Sequence, residues 1–272
     1  MAAFDYFGGV DFSGGREPLS NLWSAVGVER DGRLQIVDLR PHAFRDDLRH
    51  FVCQSAAGLE AVEGERALWG MDFPFSLPRE AVTGMMRSGE QATWSEQLAW
   101  LASQTAGDVE AMAKPYRQVM RAIDPPGAMA ALNIRLLKQT VAGGRLLAEL
   151  VRQEGAAVCP QMPAEGARCV FVEVYPSATA KDLSLTGRKP SRPGQARARP
   201  EMLEPWLRFA HPSLSATAVT LEDAWDAVVA CLTAWLVRDD LGQPGRVGKH
   251  EAAVVAREGW IYRHPEAVGS GR

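Results

Sequence analysis

The stretch Tyr6-Phe-Gly-Gly-Val-Asp-Phe-Ser-Gly-Gly15 constrains this chain more than any other. An apolar run carries one carboxylate, Asp11, and breaks at once into Ser13, Gly14 and Gly15. Glycine lets a chain turn sharply or lie close to a ligand, so a strand ending this way brings charge and backbone together at a sheet edge. The plain alternative is an Asp that caps a turn. Other acids returning to Asp11 would decide between the two.

The pattern downstream is that of an α/β chain. Residues 22–29 and 33–39 read as strands, and the Asp31-Gly32 pair between them is a hairpin signal. Residues 44–59 read as a helix. Ala67-Leu-Trp-Gly-Met-Asp-Phe-Pro74 returns to strand, and Pro74 puts Asp72 at its end because proline cannot continue an internal ladder. Residues 79–155 are helical in pattern and form an insertion or a crossover within a single domain spanning 1–272. In that block Ser95 is positioned to cap one helix, and a longer helix covers 129–152 after the Asp124-Pro-Pro-Gly127 break. Cys169-Val-Phe-Val-Glu-Val-Tyr-Pro176 reads as a buried strand with Glu173, Phe171 and Tyr175 on one face and the valines on the other. A loop over 181–200, a short helix over 201–210, a strong helix over 220–236 and a last strand over 259–262 complete the expectation.

Composition narrows the classes. At 272 residues, 46% hydrophobic and 23% charged, the chain reads as globular, and a net charge of −3 provides no global attraction for nucleic acid or membrane. No apolar run reaches the roughly 20 residues that span a bilayer. The four cysteines are scattered without a C-x-x-C pair, so neither a zinc site nor a disulfide framework is expected. With no signal-peptide pattern, a reduced cytoplasm is the expected compartment.

The candidate chemistry lies in five acids: Asp11, Asp72, Glu173, Asp223 and Asp226. Asp223 and Asp226 are three apart on one helix, with Cβ atoms roughly 5–6 Å from each other. Like charges there repel unless a cation or a proton sits between them. Asp223 also lies three residues after Thr220, which allows a capping box, whereas Asp226 lies beyond the first turn. Glu173, in a dry strand, needs an arginine partner, a proton or a metal. Hard oxygen ligands suit Mg²⁺ or Mn²⁺, and two such ions about 3.5–4 Å apart clamp an in-line displacement at phosphorus. The five histidines show no metal-ligand spacing and are expected on the surface.

This order of acids resembles the ribonuclease H-like superfamily: one on strand one, a hairpin, one ending strand four and one on a late helix. Glu222-Asp-Ala-Trp-Asp-Ala227 looks like the terminal helix of Holliday-junction resolvases. The whole chain resembles a family of unknown function, numbered 429, predicted to be ribonuclease H-like nucleases. Gly9-Val-Asp-Phe-Ser13, Gly70-Met-Asp-Phe-Pro74, Val172-Glu-Val-Tyr-Pro176 and Glu258-Gly-Trp-Ile261 are the other matching pieces. The resemblance implies a mixed sheet, antiparallel in its first three strands and parallel beyond, and metal-dependent hydrolysis of a phosphodiester. It implies Asp11, Asp72 and Asp226 as metal ligands, with Glu173 and Asp223 as ligands or their supports.

A nucleic-acid partner is expected, with Ser13 and the basic residues Lys181, Arg188 and Lys189 as candidate substrate contacts in a run that also holds Arg192, Arg197 and Arg199. The plain alternative is a solvated loop. Two rival readings stand beside the nuclease. One is a phosphotransferase or ATPase of the actin and sugar-kinase type, whose first phosphate loop Gly9–Gly15 resembles, although no second loop is evident. The other is a non-catalytic nucleic-acid-binding module.

Overall fold

The computed structural model describes residues 3–86, 92–185, 202–241 and 252–264. Among them, eight strands form one mixed sheet: β1 (Tyr6–Asp11), β2 (Trp23–Arg30), β3 (Arg33–Pro41), β4 (Ala67–Asp72), β5 (Ala157–Cys159), β6 (Cys169–Val174), β7 (Leu207–Phe209) and β8 (Ile261–Tyr262). The order is β5-β6-β4-β1-β2-β3-β7, with β8 also paired to β6. β1–β2 and β2–β3 are antiparallel, whereas β4, β6, β5 and β8 join in parallel, as expected. Asp31 and Gly32 both take positive φ, 55° and 71°, the requirement of the tight turn that matches strand twist.

Among the described residues there are nine α-helices: α1 (Arg45–His50), α2 (Arg79–Met85), α3 (Trp94–Ser103), α4 (Ala106–Ala113), α5 (Leu137–Glu154), α6 (Pro176–Asp182), α7 (Pro212–Thr220), α8 (Glu222–Leu236) and α9 (Ala252–Glu258). Strand alternation divides the core. Phe7, Leu68, Val170 and Val172 face α8, whose residues from Ala227 to Ala234 are buried all round. Tyr6, Val10, Trp69, Met71 and Phe171 face the other way, against Phe51 and the Leu146, Leu147 and Leu150 stripe of α5. The middle segment has a core of its own, built from Leu77, Val82, Leu101, Val109, Leu132 and Val141.

Several boundaries differ from the sequence expectation. The helix expected over 129–152 begins at Leu137, because Asn133 accepts from Arg135 N–H through its side chain and draws the preceding residues into turns. It ends at Gly155, which takes φ 64° and returns its N–H to Leu150. Thr93, not Ser95, caps α3, in a capping box with Glu96. Part of the helix expected over 201–210 is instead β7, whose residues pair in parallel with Leu34–Ile36 of β3. Lys181 and Asp182 end α6 rather than opening a loop. Thr220 ends α7 and donates its hydroxyl to Ala216, so α8 starts at Glu222 with no side-chain cap. The capping box considered for Asp223 is therefore not formed.

Candidate active site

Two glycines bring the acids together. In the parallel pairing of β1 and β4, Gly9 is the Cα partner of Gly70, and two residues on Asp11 is the partner of Asp72. A Cβ at Gly9 would overlap the backbone of Ala227 and Cys231, and one at Gly70 would lie 2.6 Å from the Ala230 carbonyl. The backbone of α8 therefore rests directly on both glycines. Asp223 and Asp226 precede Ala227 and Ala230 by four residues, one helical turn, so the helix delivers them toward Asp11 and Asp72. The electrostatics agree. Burial pushes the Asp11 carboxyl well above the usual carboxylate range, and Asp72, Asp226 and Asp223 push the same way, with Asp223 in hydrogen-bonding reach. Burial also raises Asp72, followed by Asp226 and then Glu173.

Glu173 has the opposite strand parity. Its neighbours Val172 and Val174 face α8, so its carboxylate leaves the other face of the sheet. There it meets Arg121, which donates from Nη2 to Oε1 at 2.5 Å and from Nη1 to Oε2 at 2.8 Å, while Phe75 N–H donates to Oε2 at 2.9 Å. Both residues are almost fully buried, at 4% and 3% exposure. Arg121 also donates from Nε to Asp124 at 2.8 Å and from Nη1 to Ser76 at 3.2 Å. Burial alone would lower the arginine's proton affinity, but Glu173 and Asp124 outweigh it and hold the guanidinium charged. Glu258, the last residue of α9, accepts from Ala122 N–H at 2.6 Å and Arg79 N–H at 3.1 Å, fastening the same segment from behind.

Of the alternatives open to Glu173, an arginine partner is the arrangement observed. Arg121 and Glu258 were missed in the sequence because the Arg121–Glu173 and Ala122–Glu258 pairings span 52 and 136 residues and leave no local spacing, whereas Arg121 and Asp124 are three apart and only their burial sets them apart from an ordinary surface pair. The usable signal was Glu173 itself, a buried carboxylate that had to find a cation.

Asp11, Asp72, Asp223 and the Glu173–Arg121 pair line a cleft of about 270 Å³ at the carboxyl ends of β1, β4 and β6. Phe12, Phe73, Tyr175, Met129 and Leu136 form its apolar walls, with Asn21 and Gln139 as neutral polar groups. Gln139 donates to the Asp72 carbonyl at 2.6 Å. Gly14 lies so close to α5 that a Cβ would overlap the backbone of Lys138 and Gln139. Arg45 holds the glycine turn through the carbonyls of Ser13 and Gly15. Ser13 is 5% exposed and accepts from Gly15 N–H, so it is turned into the loop and is not among the cleft's lining. Lys181 sits in the last turn of α6, while Arg188, Lys189, Arg192, Arg197 and Arg199 lie outside the described residues. Two histidines expected on the surface are buried: His42 pairs with Ser24 at 2.8 Å, and His264 packs edge-on to Trp206.

A family described as "Protein of unknown function (DUF429)" matches residues 9–252, which include all five acids. The chain belongs to this family. No curated protein and no solved structure matches it. In this DUF429 chain the donor set is anionic and all oxygen, which fits a hard divalent cation in kind. Among the described residues, however, no three His, Cys, Asp or Glu side chains converge on one point as they stand. What the arrangement provides is two strand-end carboxylates, Asp11 and Asp72, whose proton affinity is raised first by burial and then by the acids around them, Asp72, Asp226 and Asp223 for Asp11 and Asp226 and Glu173 for Asp72. Among the described residues, no helix is long and apolar enough to cross a membrane.

Proposed function

We propose that this DUF429 chain is a metal-dependent nuclease with a ribonuclease H-like sheet. The observation that carries the reading is the paired register of Gly9 with Gly70 and Asp11 with Asp72, which brings α8 and its two aspartates to the same strand ends. The strand order β3-β2-β1-β4-β6, with acids ending β1 and β4 and on a late helix, supports the fold that the resemblance implies. Asp11, Asp72 and Asp226, with Asp223 beside them, would hold Mg²⁺ or Mn²⁺. When bound, such an ion activates water and neutralises charge building at phosphorus. Gln139 fixes the main chain at Asp72 through its carbonyl, and α8 carries Asp223 and Asp226 to the same end of the sheet. The partner is nucleic acid, and the four buried free thiols favour a reducing compartment such as the cytoplasm.

The kinase reading is weakened by the glycine turn. Gly15 N–H is engaged by Ser13, and the turn's carbonyls by Arg45, whereas a phosphate loop aims its amides at the ligand. The deciding experiment is Mn²⁺-dependent hydrolysis of bis-nitrophenyl phosphate. Activity that disappears in a folded Asp72→Asn variant supports a phosphodiesterase. No turnover by metal-bound wild type would overturn it.

A further inference from the structure

The cleft holds more than acids. Its far wall comes from the segment that follows the Asp124-Pro-Pro-Gly127 break, where Ala128, Met129 and Leu136 face the carboxylates. Met129 remains 44% exposed there, an apolar side chain left in water beside a charged floor. Tyr175 lines the same cleft from the end of β6. Small-molecule sites combine apolar linings with a few placed polar groups and run to roughly 300–1,000 Å³. At about 270 Å³ this cleft lies just below that range.

The wall is held in place. Arg121 donates four side-chain hydrogen bonds to Glu173, Asp124 and Ser76, and its Nη2 also lies 2.7 Å from Asp124 Oδ1, so this cation latches the wall to β6 instead of presenting itself to a phosphate chain.

We infer that the cleft accepts the end of a single nucleic-acid strand, one nucleotide at a time. The scissile phosphate lies on the aspartates and the base against Ala128, Met129 and Leu136, with Arg121 as the positioning residue that sets this wall. The inference rests on the nuclease reading above. In the step itself, a water molecule gives up a proton to solvent as its oxygen bonds to phosphorus, the ester P–O bond breaks, and the departing oxygen takes a proton from solvent as one nucleotide is released.

The test uses the full chain with Mn²⁺ and a short oligonucleotide, as DNA and as RNA, either linear or ligated into a circle. The expected result is stepwise shortening of the linear strand from one end while the circle stays intact. Met129→Ala should raise KM for the linear strand about fivefold, the loss of a modest apolar contact, with kcat and Mn²⁺ binding unchanged. Arg121→Lys, which keeps the charge but not the fork, should raise KM in the same direction. Should that variant fail to fold, Met129→Ala, altered at an exposed position, carries the test alone. Circles cut as fast as linear strands, or an unchanged KM in Met129→Ala, would overturn the inference and leave the nuclease reading standing. Hydrolysis of bis-nitrophenyl phosphate but of no strand would also overturn it. No hydrolysis of any of these by metal-bound protein would remove both.

Discussion

Asp11 and Asp72 are Cα partners across the parallel β1–β4 pair, two residues beyond the partnered glycines Gly9 and Gly70. Each aspartate shares its strand face with its glycine. The missing side chains admit a helix backbone, and that helix carries the next two acids. The close approach of α8 and the clustering of four carboxylates are thus one structural fact.

The first consequence concerns Gly9. Its added Cβ would meet helix backbone, which cannot rotate away as a side chain can. Gly9→Ala should destabilise the chain by about 3 kcal/mol or more in urea unfolding. Gly107→Ala, in α4 with only the Thr105 hydroxyl near at 3.7 Å, should be neutral or stabilise by about 0.5 kcal/mol. Equal effects at the two positions would mean that α8 does not rest on the sheet backbone.

The clustered aspartates oppose the metal-free fold. Burial and like charge raise Asp11 above its unfolded value, so its ionised form weakens the folded state, and stability from this group falls as pH rises through that window. Asp11→Asn should therefore raise the Tm of metal-free protein at neutral pH by about 2 °C or more. A lowered Tm would show that Asp11 is held by partners that favour its charge.

The Arg121–Glu173 pair should behave as a buried ion pair does when halved. Arg121→Met leaves Glu173 and Asp124 buried without their cation and should cost about 3–5 kcal/mol. Adding Glu173→Gln should recover part of that loss. Strict additivity of the two changes in a double-mutant cycle would rule out the coupling.

His42 makes a separate pH prediction. Burial first, then Arg40, lowers it from 6.5 to about 4, so the folded state holds it neutral against Ser24. Its contribution is complete above pH 6.5 and is lost as pH falls toward 4, because the unfolded chain takes up the proton there; the full window is worth about 3 kcal/mol. The raised aspartates act in the opposite direction, so the quantity to measure is the difference between wild type and His42→Asn. A difference that does not change across this window would contradict the burial of a neutral imidazole.

Much of the site was legible because its signals are local. Gly-Val-Asp and Gly-Met-Asp each place an acid at a strand end beside a chain-breaking residue, and Asp31-Gly32 marks its own hairpin. What was not legible depends on distant partners. β5 and β7 are three-residue strands that form only because β6 and β3 offer edges. The 129–136 stretch has helical spacing at Leu132 and Leu136, but Asn133 and the packing of Leu132 hold it in turns. Thr220 looked like a cap because the helix before it, α7, carries too little apolar contrast to announce itself. Glu173 is a carboxylate like its supposed partners, and its strand parity turns it to the other face of the sheet.

The most direct test of the central claim is Mn²⁺ binding by calorimetry to wild type and to the Asp11→Asn, Asp226→Asn double variant, with folding checked by circular dichroism. The account predicts saturable binding to wild type and none to the folded double variant. Equal binding to both, or no binding to folded wild type, would contradict it.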